Sequence, residues 1–129
     1  MRALLLLVLG LILGAMGATM VVNMLRQRDA YPRSVMTVMG HHAAALHLAL
    51  RARQCDAAPS ATHLARMQAM TEEILPAFPD MDAPFRDGVD KLRQAIGAAM
   101  TAAPRDCPAL QQALKPIDDA CDACHRQYR

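Results

Sequence analysis

The sequence predicts an all-α protein: an antiparallel up-down-up-down four-helix bundle preceded by an N-terminal transmembrane or signal helix. Three observations predict it. Apolar residues recur at steps of three and four in four separate stretches, no stretch alternates with period two, and the chain opens on an almost unbroken apolar run. The connections between the periodic stretches are short, and short connections force sequence neighbours to run antiparallel. With 129 residues the chain holds one domain at most. Residues 1–28 are read as the membrane anchor or signal segment and residues 29–129 as the bundle domain.

The opening run extends from Ala3 to Leu25, interrupted only by Gly, Thr19 and Asn23, and preceded by Arg2. It is long enough to cross a bilayer and longer than the apolar part of a typical cleaved signal, which favours a retained anchor. Ala15-Met16-Gly17 offers a cleavage site, so a removed signal is the alternative. Pro32 suits a first helical turn and is expected to separate this segment from the next helix.

That next helix runs from Pro32 to about Arg53, with Met36, Met39, Ala43, Leu46 and Leu50 on one side and Val35, Val38 and His42 on the neighbouring stripe. A second helix, about Ser60 to Leu75, carries Leu64, Met67, Met70 and Ile74, with Ser60 as N-cap and Pro76 as its stop. The third spans Ala83 to Ala102 behind Asp82 as cap, and repeats Phe85, Val89, Leu92, Ile96 and Met100. The fourth starts after Asp106 with Pro108 in its first turn; Leu110, Leu114, Ile117, Cys121, Cys124, His125 and Tyr128 form its apolar stripe. The chain has no Trp, two Tyr and two Phe but ten Met, so the core must be aliphatic and thioether-rich. A large flat cofactor would add the apolar area that aromatic side chains do not.

Cys121-Asp122-Ala123-Cys124-His125 carries the chemistry. Covalent haem attachment needs two thiols to add to two vinyl groups on one edge of a porphyrin, and an imidazole that reaches the iron. Positions three and four apart on a helix emerge on one face, so Cys121, Cys124 and His125 point together, along the stripe that Leu110, Leu114 and Ile117 begin. One covalently attached haem c, with His125 as iron ligand, is the reading. A redox dithiol would want a thioredoxin-like setting of strands and helices, which is absent here. A four-thiolate zinc site would need Cys55 and Cys107, but these fall at one pole of the bundle and the pair on the fourth helix near the other, roughly 20 Å away along the helix. Cys55 and Cys107 either form a disulfide pinning the first bundle helix to the fourth, or stay as two buried thiols.

Net charge is +2 with acids and bases interspersed, so no nucleic-acid footprint is present. Arg26, Arg28 and Arg33 follow the apolar run and by the positive-inside tendency would hold the domain in the cytoplasm. Covalent haem attachment, a job done outside the bacterial inner membrane, overrides that tendency. The expected location is periplasmic, anchored to the inner membrane, or soluble periplasmic after cleavage.

The two ends of the bundle carry a resemblance. Cys121 to Arg129, reading CDACHRQYR, is similar to the terminal signature of the cytochrome c prime family, and Tyr31 to Met39, reading YPRSVMTVM, resembles that family's first helix. The resemblance implies that Arg129 lies beside the proximal histidine face and that Met36 packs over the distal face of the iron. The family commonly has an arginine near a haem propionate directly after the tyrosine. Here Pro32 holds that position and Arg33 comes next. Shorter loops leave the family's frequent homodimer open.

Function then turns on the sixth iron position. Sulfur ligation by Met36, or by Met39 one turn on, would make an electron carrier working with redox partner proteins of a bacterial respiratory chain. Without ligation, a five-coordinate iron under an apolar lid would bind NO or CO. A zinc- or disulfide-stapled helical module is the remote alternative. His41 and His42 are expected to be partly exposed or hydrogen-bonded rather than iron ligands. No carboxylate or histidine pair is spaced for acid–base work, so an enzyme is not expected.

Overall fold

The computed structural model describes residues 2–128, the side chains of 3–5 and 25–29 excepted. The expectations placed on Arg129 and on the Leu25, Arg26 and Arg28 side chains lie outside the described residues. Among the described residues the fold is all-helical: α1 (Arg2–Ala52), α2 (Ala57–Ala77), α3 (Ala83–Ala102) and α4 (Cys107–Tyr128). Contacts divide the chain into two compact units, Met1–Arg33 and Ser34–Arg129.

In the first unit, Leu6–Met24 is a 19-residue apolar stretch of mean hydropathy 2.1, long enough by composition to cross a membrane. Its large side chains, such as Leu6, Leu11 and Met20, are exposed. The expected break at Pro32 is not there, because Pro32 lies inside α1. Proline's fixed φ is itself helical, so it removes one backbone hydrogen bond without preventing the turn. Its neighbours on either side contain no Gly or turn-forming pair to end the helix.

In the second unit one core draws on all four helices. From α1 it takes Val35, Met39 and Leu46, with Met36, Ala43 and Leu50 packed at its edge. Val38, assigned to the neighbouring stripe, is 40 % exposed. The rotation puts Val35, one step round from Met36, at the centre of the buried face. From α2 come Leu64, Met67, Thr71 and Ile74, the Thr71 hydroxyl donating to the Gln68 carbonyl at 2.7 Å. Phe85, Val89, Leu92 and Ile96 come from α3 as the periodicity requires, but Met100 is exposed and Ala99 is buried in its place. Leu110, Leu114 and Ile117 come from α4. Residues of α3 pack against both α2 and α4.

The helix starts follow capping chemistry with one exception. The Asp82 carboxylate accepts from the Phe85 amide at 3.0 Å and opens α3, and the Asp106 carboxylate accepts from the Ala109 amide at 2.8 Å and opens α4. Helix α2, however, starts earlier than Ser60: Asp56 is its N-cap, and Ser60 is buried inside the helix. Pro59 falls within the first turn, where an amide has no intrahelical partner, so it does not delay the start. At the other end α2 runs through Pro76 and ends one residue later at Ala77; the proline forgoes its own amide bond and crowds the carbonyl one turn back, so the helix stops just beyond it. The turn after α3 is closed by Ala103 in the left-handed region, φ 44°.

Two ties fix α4. At its start, Cys107 is bonded to Cys55, which lies between α1 and α2, with Cα atoms 5.1 Å apart. At its end, the Tyr128 hydroxyl donates to the same Asp82 carboxylate that caps α3, at 2.5 Å, and the Tyr128 ring meets the edge of Phe85 at 5.1 Å. The shared hydrogen bond holds Asp82 below the usual carboxylate range and pushes Tyr128 up to about 12.

Replacing Cys55 and Cys107 together by serine is expected to cost about 2 to 4 kcal/mol of unfolding free energy in urea melts, because the bond closes a loop of 52 residues. Tyr128→Phe is expected to lower the melting temperature near neutral pH and to lose that difference at both extremes. Asp82's depressed value makes its contribution complete above about pH 4 and lost as pH falls below it; the raised Tyr128 value makes its contribution complete below about pH 10 and lost as pH rises toward 12. Thermal melts of the two proteins from pH 2.5 to 12 test this. Equal melting temperatures at pH 7 would show that the tie contributes nothing.

Candidate functional site

Beyond Ile117 the buried stripe of α4 does not stop; it continues as Cys121 and Cys124, each half-buried and each a free thiol. One cleft receives them. Met36 and Met39 of α1, Ile74 of α2, Phe85 and Gly88 of α3, and Cys121, Cys124 and His125 of α4 share its wall, and almost no polar surface is among them. The structure thus brings together five of the residues singled out from sequence: Met36, Met39, Cys121, Cys124 and His125. Arg33 is the last residue of the first unit.

Each position has a local cause. The thiols are three residues apart on a continuous helix, so both face the cleft, and His125, one residue further, sits at its margin and is itself exposed. His125 and Arg126 occupy the last turn of α4, where the helix dipole favours positive charge. Met39 is buried and Met36 half-buried, so two thioether sulfurs belong to the same wall as the imidazole. Gly88 comes to the cleft directly opposite Cys124: a β-carbon there would lie 3.9 Å from the Cys124 sulfur. Any longer side chain at Gly88 would occupy the space in front of the thiol. Phe85 is part of the cleft wall and packs against the Tyr128 ring, and both residues are hydrogen-bonded to Asp82.

Burial pushes the Cys121 thiol up to about 11, with Asp118 and Asp122 adding to the rise, and burial also raises Cys124. Both groups are therefore neutral thiols at pH 7. That works against a redox dithiol, which needs a ready thiolate. A four-thiolate zinc site loses two of its donors, since Cys55 and Cys107 are bonded to each other. Among the described residues no group of three or more His, Cys, Asp or Glu is arranged to hold a metal ion.

The donor set fits a covalently attached haem. Two unpaired thiols at the required spacing, an adjacent imidazole, apolar walls and two adaptable thioethers match what the group requires of a protein. The space between these side chains is about 30 Å³, room for about one water molecule. Seating a macrocycle would mean parting the walls, and the methionines are the unbranched side chains able to move.

The histidines of α1 lie elsewhere. His42 shares a hydrogen bond with His63 of α2, its Nδ1 3.0 Å from the His63 Nδ1, and His47 pairs with Asp118 of α4 at 3.0 Å. His41 is exposed and meets the His42 ring edge-on. Sequence reasoning missed Gly88, whose role depends on which residue faces it, and the second role of Asp82. A capping aspartate is legible in a sequence, whereas its tyrosine partner 46 residues away is not. No protein-family model matches the chain, and no curated protein matches it.

Proposed function

We propose that the chain is a c-type cytochrome of the cytochrome c prime kind, built as an antiparallel up-down-up-down four-helix bundle, that carries one haem on α4 and transfers electrons. The single observation carrying this reading is that Cys121, Cys124 and His125 open onto the same apolar cleft as the thioethers of Met36 and Met39. Short connections between consecutive helices and the packing of α3 against α2 and α4 support the bundle topology.

In this reading Cys121 and Cys124 would hold the group through thioether bonds, and His125 would supply a nitrogen to its iron. When bound, the haem supplies a one-electron couple, whose potential is raised by a thioether ligand and by burial. Met36 and Met39 line the cleft beside His125, and Met36 would be the preferred sulfur ligand. The apolar lining excludes water and anions. The Asp82–Tyr128 tie keeps the end of α4, and with it His125, from fraying. The cell-side corollary is an exported domain, tethered by Leu6–Met24 to the inner membrane or released by cleavage, that exchanges electrons with protein partners in the periplasm.

Expression in a bacterium able to attach haem covalently, followed by mass measurement after denaturation, tests the core of the reading. The expected product is heavier than the polypeptide by one haem, and Cys121→Ser with Cys124→Ser together abolish the increment. A mass equal to the bare chain, with all colour lost on denaturation, would sink the proposal. The axial assignment has its own test. The reduced protein is expected to give a sharp low-spin visible spectrum unmoved by CO, and Met36→Ala is expected to open the iron to CO. A high-spin spectrum shifted by CO in the unsubstituted protein would replace electron transfer by NO or CO binding at the same cleft.

A further inference from the structure

Outside the haem cleft, two imidazoles from different helices face each other nitrogen to nitrogen. His42 of α1 and His63 of α2 are both half-buried, with Nδ1 atoms 3.0 Å apart and ring centroids at 5.2 Å. Nitrogens bind zinc or copper at about 2.0 to 2.1 Å, so two donors on one ion lie about 2.9 Å apart at a right angle and about 3.3 Å apart at the tetrahedral angle. The observed separation is that of a hydrogen bond and falls within the span one ion bridges, so a modest turn of the two rings toward a common point would aim both lone pairs at it; the preference for Cu(II) rests on its greater affinity for imidazole nitrogen.

We propose that His42 and His63 form a binding site for one divalent transition-metal ion, Cu(II) in preference to Zn(II), which bridges α1 and α2. When the ion takes the place of the hydrogen bond, the ring that donates through Nδ1 passes that proton to solvent and takes one up at Nε2, so both rings bind as neutral imidazoles and no net proton is released. Burial, together with His63, His41 and Arg66, lowers the His42 value, which keeps the imidazole neutral and its lone pair available near neutral pH. Arg66 is a fixed positive charge nearby and sets a limit on affinity. Among the described residues no third ligand joins the pair, so water completes the shell and the ion stays exchangeable. The site does not depend on the haem reading, since neither histidine lines that cleft.

The test uses the detergent-solubilised full chain with Cys121 and Cys124 blocked, by haem where it is attached and by alkylation where it is not, so that thiols cannot compete for soft ions. Calorimetric titration with CuCl2 and ZnCl2 at pH 7.5 is expected to show one equivalent of each, copper binding at least about tenfold tighter. His42→Gln and His63→Gln are each expected to weaken copper at least about tenfold, and His47→Gln to leave it unchanged. Electron paramagnetic resonance of the copper complex is expected to show coupling to two nitrogens, reduced to one in either variant. Circular dichroism confirms that the variants are folded. Copper binding that survives both substitutions, or no saturable binding at one equivalent, would overturn the proposal.

Discussion

The three-and-four spacing along α4 ties the core to the chemistry. Leu110, Leu114 and Ile117 are buried because a helix with apolar residues at that interval must turn one side toward its neighbours. Cys121 and Cys124 extend the interval, so whatever orients the leucines also orients the thiols. The reactive pair cannot be turned outward without exposing the core of α4. Burial then keeps both thiols protonated, and the physical setting is one of apolar neutral sulfur rather than charged thiolate.

A stripe sets direction around the helix axis, but something else must fix position along it. The Cys55–Cys107 bond anchors the first residue of α4, and the Tyr128 hydroxyl anchors the last described one. Asp82 serves two helices at once, accepting from the first turn of α3 and from the last turn of α4. Terminal turns ordinarily fray, because their final carbonyls lack partners. Here the turn that carries His125 is held from the side, through a side chain rather than through the backbone.

Much of this was legible in the residue order, and the parts that were not share a cause. Helix α3 was read to its ends, because Asp82 and the interval from Phe85 to Ile96 are both local signals. The thiol face of α4 followed from the same arithmetic. Local rules failed where a residue type permits two outcomes. Pro32 can begin a helix or sit inside one, and of Val35 and Val38, both read on the stripe beside the core, packing buries the first and leaves the second exposed. Met100 yielded to Ala99 for the same reason. The His42–His63 pair and the Tyr128–Asp82 bond join residues 21 and 46 positions apart, and no periodicity within a helix reports which residue of another helix comes opposite.

The scarcity of aromatic residues gains a meaning once their positions are known. Of two Phe and two Tyr in the chain, three are consecutive neighbours in space: Phe78 meets Phe85 at 5.5 Å, and Phe85 meets Tyr128 at 5.1 Å. Their rings are concentrated at the cleft end, while the remaining core is aliphatic with Met67 among its fully buried side chains. Aromatic side chains carry few rotatable bonds and lose little entropy when fixed, whereas methionine adapts its shape to what it packs against. The cleft therefore joins a stiff frame, made by Phe85 and Tyr128 on Asp82, to a compliant wall, made by Met36 and Met39. That division would suit the proposed haem, with the α4 residues that would hold it fixed by their packing and the α1 methionines able to repack against it.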